Sequence, residues 1–305
     1  MDKKFATPIL FIIFNRPDTT IKVFESIKKV KPPRLYVAAD GPRSHKIGEN
    51  ELCEATRRVI DGIDWPCEVF TKFSPINLGM KDAESQAMNW FFENEEKGIV
   101  LEDDTLPDIS FYTFCQEMLN YYENDTRVMH ISGCNFQFGK VWGDGSYYYS
   151  RHPTCWGWAS WKRAWKYYDV NLNKLEKFIQ LGHQHDIMVG DKEKSSYLKI
   201  LRKIKEKGIT WDYQWSFAVF SQNGLAVTPN VNLVKNLGFG ENSTTAFYTG
   251  SKLASLEVGE IKEIKHPSFM LENIRADRYF NHVTFNQVPL ILRIWNKLKK
   301  EIKKH

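Results

Sequence analysis

Residues Gly98-Ile99-Val100-Leu101 form a short apolar run that ends abruptly in Glu102-Asp103-Asp104. Short, nearly continuous apolar runs suit strands buried on both faces of a parallel sheet, where no side chain is reserved for water. Four more such runs lie at 8–14, 34–39, 67–71 and 128–132, and helix-period patterns fall between them near 17–29, 51–63, 79–96 and 108–123. Strand–helix alternation of this kind predicts an α/β domain with a mostly parallel central sheet flanked by helices. Pro17 suits the first turn of the first helix, and Asp40-Gly41-Pro42-Arg43 closes the second strand in a turn.

The second half is less regular. Tyr147-Tyr148-Tyr149 predicts a strand, 156–168 a helix, 172–207 a helix in two pieces broken near Gly190, and 211–222 another helix. Residues 225–247 read as a strand followed by a Gly/Asn/Thr-rich loop. Within it, 236–247 has the Gly hinges and apolar anchors of a lid, and equally the make-up of an ordinary surface loop. With 305 residues, 42% of them hydrophobic, one large core is within reach. One catalytic domain is expected over 1–285, with a nucleotide-binding part to about 135 and an acceptor part from about 136, followed by a C-terminal helical extension over 286–305.

Five cysteines form no C-x-x-C pair, which argues against a disulfide framework and a zinc site and for a reducing compartment. The first apolar stretch, Pro8 to Phe14, is too short to span a bilayer and reads as a core strand of a cytoplasmic protein. The net charge of +5 resides entirely in 286–305, where six basic residues face one acid. A balanced remainder argues against nucleic acid as a partner. In that tail Ile291, Trp295, Leu298 and Ile302 share one helical face. Such a basic amphipathic helix suits an anionic membrane surface, or it packs on the domain and solvates its lysines.

A carboxylate cluster at the mouth of a buried strand is costly, because like charges repel and desolvation adds to that. A hard divalent cation with a substrate phosphate relieves the cost; a solvated turn, with Asp108 capping the next helix, is the plainer reading. In a parallel sheet the ends Asn15-Arg16, Asp40 and Glu102-Asp103-Asp104 gather along one edge, where a nucleotide could lie. Neither G-x-G-x-x-G nor a P-loop is present, so a pyrophosphate there needs a metal and basic side chains. Asp212 reads as a general base between Trp211 and Trp215, or as an acid placed for the helix dipole after a Thr210 cap. Trp158, Trp161 and Trp165 fall at helical spacing, as in a core stripe, while Trp156 and Trp158 flank Gly157 where a sugar ring could stack. His183 and His185 show no metal spacing.

Phe14-Asn15-Arg16-Pro17, the Asp40 strand end, Asn77-Leu78-Gly79 and Leu101-Glu102-Asp103-Asp104 together resemble GT-A-fold inverting glycosyltransferases. The likeness is to the N-acetylglucosaminyltransferase I type and to bacterial family-2-like nucleotide-diphospho-sugar transferases. It continues through Ser132-Gly133-Cys134-Asn135, Tyr149-Ser150-Arg151, Trp156-Gly157-Trp158 and Trp211-Asp212, covering about residues 7–245. The resemblance implies a GT-A fold and transfer of a sugar from a UDP-sugar to a hydroxyl of a carbohydrate or lipid-linked acceptor, in surface-polysaccharide or glycolipid synthesis. It implies Asp104 as ligand to Mn²⁺ or Mg²⁺, Asp103 and Glu102 reaching the ribose and donor sugar, and Asp40 reading the uracil edge. It also implies Arg16 against the nucleotide and Asp212 as the base. Where the family has a histidine near the nucleotide, the nearest basic residue here is Lys81. The rival readings are a sugar-nucleotide pyrophosphorylase, whose Gly-rich loop after strand one is absent, and a non-catalytic carbohydrate-binding protein on the same fold.

Overall fold

The computed structural model describes residues 4–187, 191–208, 210–239 and 252–285. The predicted tail helix over 286–305 and most of the 236–247 segment lie outside them. The chain begins with β1 (Ile9–Ile13), α1 (Pro17–Val30), β2 (Arg34–Ala39), α2 (Glu49–Arg57), β3 (Glu68–Phe73), α3 (Met80–Asn94) and β4 (Lys97–Glu102). It continues through β5 (Thr105–Pro107), α4 (Ile109–Tyr121), β6 (Val128–Ser132), β7 (Tyr147–Ser150), β8 (Trp158–Trp161) and α5 (Lys162–Trp165). The last elements are α6 (Leu175–Gln180), α7 (Gln184–Ile187), α8 (Asp191–Lys207), α9 (Asp212–Ser221), β9 (Leu225–Pro229), β10 (Val234–Asn236) and α10 (Ile274–Phe285).

Every side chain of β1 is buried, which is why its sequence is uninterruptedly apolar. Ile9, Phe11 and Ile13 point into one core with Val23 and Phe24 of α1 and Phe111 and Phe114 of α4. Leu10 and Ile12 point into the other, with Met88 and Phe91 of α3 and Trp215 of α9. Helices therefore cover both faces of one eight-stranded sheet of order β3-β2-β1-β4-β8-β6-β9-β7. β1, β2, β3 and β4 are mutually parallel, and β6 pairs parallel with β9. β8 and β7 run against their neighbours. The result is an α/β fold with a mixed, mostly parallel sheet, and that sheet runs through both parts foreseen before and after residue 135. Asp108 caps α4 by accepting from Ser110 N–H at 2.8 Å. A small second sheet pairs β10 with β5, directly after the acidic triplet.

The helix expected over 156–168 is a correction. Trp158–Trp161 is strand β8, inserted between β4 and β6, and only Lys162–Trp165 is helical. Three residues apart on a strand, Trp158 and Trp161 point to opposite faces and enter opposite cores. Their spacing imitates a helix, but the slot between two parallel strands needs a strand buried on both sides. The piece expected over 172–207 is divided among α6, α7 and α8, and the break near Gly190 falls outside the described residues. No helix among the described residues is long and apolar enough to cross a membrane.

Candidate active site

From β1 the chain steps outward to β2 and β3, then returns to lay β4 on the other side of β1. Connections leave in opposite directions there, so a crevice opens at the carboxyl ends of β1 and β4. Phe14 N–H donates to Asp103 Oδ2 at 3.0 Å across it. Arg16 Nη1 lies 2.7 Å from Asp104 Oδ2 and 3.7 Å from Asp103 Oδ1. A cavity of about 450 Å³ sits over these ends, walled also by β2, by Lys72 and Phe73 of β3, and by the first turn of α3. That volume falls within the range of small-molecule and cofactor sites.

Asp104 is held from above as well. Leu237 N–H donates to its carbonyl at 2.7 Å, which continues the β5–β10 ladder. A Cβ on Gly238 would fall 2.2 Å from Asp104 Oδ2, so any larger residue there would displace the carboxylate.

The electrostatics are those of a crowded, desolvated acid cluster. Burial pushes the Asp103 carboxyl up to about 7, and the neighbouring Asp104 charge adds to that, against Arg16 and the Phe14 N–H. Asp104 is raised by burial in spite of its Arg16 partner. Glu102 is raised well above the carboxylate range by burial, then by the Glu84 charge. Glu84, in the second turn of α3, is raised by burial and then by Asp212, with Trp211 as an opposing hydrogen-bond partner. Its Oε2 is buried with no hydrogen-bond partner. Asp212 is raised by burial, opposed by the Thr210 hydroxyl that donates to it.

The structure thus brings together Arg16, Glu102, Asp103 and Asp104 on the cavity wall. Asp212 does not line that cavity, but it is near enough to Glu84 and Glu102 to raise both. Trp211 rather than Thr210 occupies the N-cap position of α9, with no side-chain cap bond, and the Thr210 hydroxyl donates to the Asp212 carboxylate instead.

Three expectations are corrected. Asp40 lines the cavity, yet its Oδ1 accepts from Gly41 and Leu78 N–H and its Oδ2 from Asn77 Nδ2 and Gly79 N–H. A carboxylate has about four acceptor sites, so none is left for a uracil edge; Asp40 fastens the loop before α3. Lys81 does not line the cavity: its ammonium lies 3.5 Å from Asp82 and packs beside Gly208. Trp158 is wholly buried, in contact with His130, Trp211 and Trp215, and offers no face to a sugar. Trp156 is half-buried between Phe136 and Phe239, edge-on to both.

Sequence reasoning missed Glu84, Arg43 and Lys72, all of which line the cavity. Arg43 is set by Glu49, which also accepts from Asn15 Nδ2 at 2.9 Å. The Arg43 guanidinium and its N–H hold the Glu49 carboxyl down at about 2. Only the sheet register and the α3 position place these side chains together. The DGPR turn was the one local signal, and it announces a loop rather than a ligand.

No protein-family model matches the chain, and no curated protein matches it. Among solved structures it is similar to HddC from Yersinia pseudotuberculosis, with a TM-score of 0.33 and 10% identity over 52% of this chain and 78% of that one.

Proposed function

We propose that this chain is a GT-A-type glycosyltransferase that moves a sugar from a nucleotide-sugar to a hydroxyl acceptor with inversion. The observation that carries the reading is the carboxylate cluster at the β1–β4 switch point, with Asp212 beside it at the start of α9. The nucleotide occupies the 450 Å³ cavity. Arg16 and Arg43 supply positive charge for the diphosphate. Glu102 and Asp103 meet the ribose and the donor sugar. Asp212, made more basic by burial, takes the proton of the acceptor hydroxyl as that oxygen attacks the anomeric carbon. The nucleoside diphosphate leaves from the opposite face. Trp156 is the remaining aromatic candidate for an acceptor platform.

Among the described residues no group of three His, Cys, Asp or Glu side chains is arranged to hold a metal ion. Among the described residues, the ligand assigned to a cation is Asp104 of the cavity wall. That carboxylate would suit Mn²⁺ or Mg²⁺ brought in by a diphosphate, a hard cation that prefers oxygen ligands. A cation held by Asp104 would offset the charge developing on the leaving diphosphate.

With Asp40 committed to its loop, the uracil preference rests on the family resemblance alone. The test is therefore a panel of UDP-, dTDP-, GDP- and ADP-sugars, each with Mn²⁺, read for nucleoside diphosphate release with and without pyrophosphate. Release without pyrophosphate supports glycosyl transfer or its hydrolytic leak. Nucleoside triphosphate formed only with pyrophosphate identifies the pyrophosphorylase rival. No turnover and no metal-coupled thermal stabilisation by any nucleotide leaves the carbohydrate-binding reading.

A further inference from the structure

We propose that the chain self-associates through β3, pairing antiparallel with β3 of a second copy about a two-fold axis at Phe70. Among the described residues β3 is an edge strand with a neighbour on one side only. All six of its residues are exposed, including Val69 (39%), Phe70 (37%) and Phe73 (37%). The other end of the sheet is treated differently. There, residues 265–273 cover β7: Ser146 N–H donates to Lys265 O at 2.8 Å, and Asn273 N–H to Tyr149 O at 2.8 Å. A bare edge carrying apolar side chains is a template for another strand.

The register follows from which backbone groups are free. Glu68 N–H donates to Pro33 O and Ser74 N–H to Ala39 O, both at 2.9 Å. Hydrogen-bonding groups alternate along a strand, so Glu68, Phe70 and Lys72 turn theirs toward β2, and Val69, Thr71 and Phe73 turn theirs outward. An antiparallel partner must set outward residues opposite outward residues, so the two-fold axis passes through a residue and not between two. Centred on Phe70, Val69 and Thr71 of the two copies exchange both backbone hydrogen bonds. Glu68 then faces Lys72 of the second copy, Lys72 faces its Glu68, and the two Phe70 rings meet. Centred on Thr71, Phe70 faces Lys72 instead; centred on Val69, Glu68 faces Phe70. Only the Phe70 register matches both charges.

Glu68, Phe70 and Lys72 also share one sheet face, where Phe70 already stacks on Tyr36 at 4.6 Å and Lys72 lies over Trp90 at 5.9 Å. The Glu68–Lys72 and Phe70–Phe70 pairs are non-hydrogen-bonded ones, in which side chains approach most closely. The occupant best matched to this edge is therefore the same edge of another copy.

Sedimentation analysis of the full chain across a wide concentration range tests this. Weight-average mass should climb from 35.7 kDa toward twice that value. Thr71→Pro removes an outward N–H that the β2 ladder does not use, and edge strands tolerate proline there. It should leave the circular dichroism unchanged and abolish the dimer. Glu68→Lys sets lysine opposite lysine and should weaken association at least tenfold, while the double change Glu68→Lys with Lys72→Glu should restore it. A monomer at every concentration overturns the proposal. So does a dimer that ignores both the proline and the charge swaps, because it uses another face.

Discussion

Asp212 and Asp104 make separable demands. Asp212→Asn keeps the shape of the side chain and its Thr210 partner but removes the proton acceptor. Donor affinity should hold while transfer falls by about 10²-fold or more, the usual scale for a general base. Measuring kcat with acceptor alongside calorimetric donor binding separates the two; normal turnover would reduce Asp212 to a helix-start acid. Asp104→Asn should keep the fold and abolish Mn²⁺-dependent UDP binding. Calorimetry showing unchanged UDP affinity with Mn²⁺ would remove Asp104 from the cation site. Both residues stood out in the sequence because acids at strand and helix ends are visible by type. Glu84 did not, because one glutamate on a helix surface looks like any other until the fold turns it toward Glu102 and buries its Oε2.

Elements, rather than single residues, set the cavity walls. The loop before α3 is gathered by Asp40, and a Cβ on Gly41 would fall 2.4 Å from the Ile76 backbone, so two loops touch main chain to main chain. Asp40→Ala strips four donors of their acceptor at once. Loss of charge-assisted hydrogen bonds predicts a destabilisation of about 2 kcal/mol or more in urea unfolding. If Asp40 read the base instead, the variant would keep its stability and lose only nucleotide affinity. The strand–helix alternation up to residue 132 was legible chiefly because the runs of β1, β2, β4 and β6 are buried on both faces; β3, exposed throughout, carries Glu68 and Lys72 among its apolar residues. β8 was not legible, since Trp158, Trp161 and Trp165 match a helical period, and the gap between β4 and β6 overrode it.

Among the described residues, carboxyls raised by burial outnumber the buried imidazoles that oppose them. Burial pushes Asp277 up to about 6, against Ser150 Oγ and Arg151 N–H, and Asp103 up to about 7. Glu84, Glu102, Asp104 and Asp212 move the same way. A carboxyl raised on folding binds more protons in the folded chain, so stability falls as pH rises from about 4 to about 7. Burial lowers His130 to about 3 and His152 to about 4, so their contribution is lost in the opposite direction, as pH falls below about 6.5. Asp277 lies on α10, away from the cavity, and isolates one carboxyl contribution. Relative to wild type, Asp277→Asn should gain about 2 kcal/mol between pH 4.5 and 7, given about 1.4 kcal/mol per pH unit of displacement. Parallel urea-unfolding curves at the two pH values would show that Asp277 carries no such penalty.

By itself the sequence determined that this is a layered α/β chain with a mostly parallel sheet, and that acids end the fourth strand. Both follow from local rules: continuous apolar runs for doubly buried strands, and charged side chains only where the strand leaves the core. Tertiary structure alone decided which polar groups are free to act. Asp40, Lys81 and Trp158 carry the right chemistry, but hydrogen bonds, a turn toward Gly208 and complete burial engage them elsewhere. Arg43, Lys72 and Glu84 reach the cavity from segments far apart in sequence. Their positions depend on strand order and register, and those are settled by packing across the sheet rather than by neighbours along the chain.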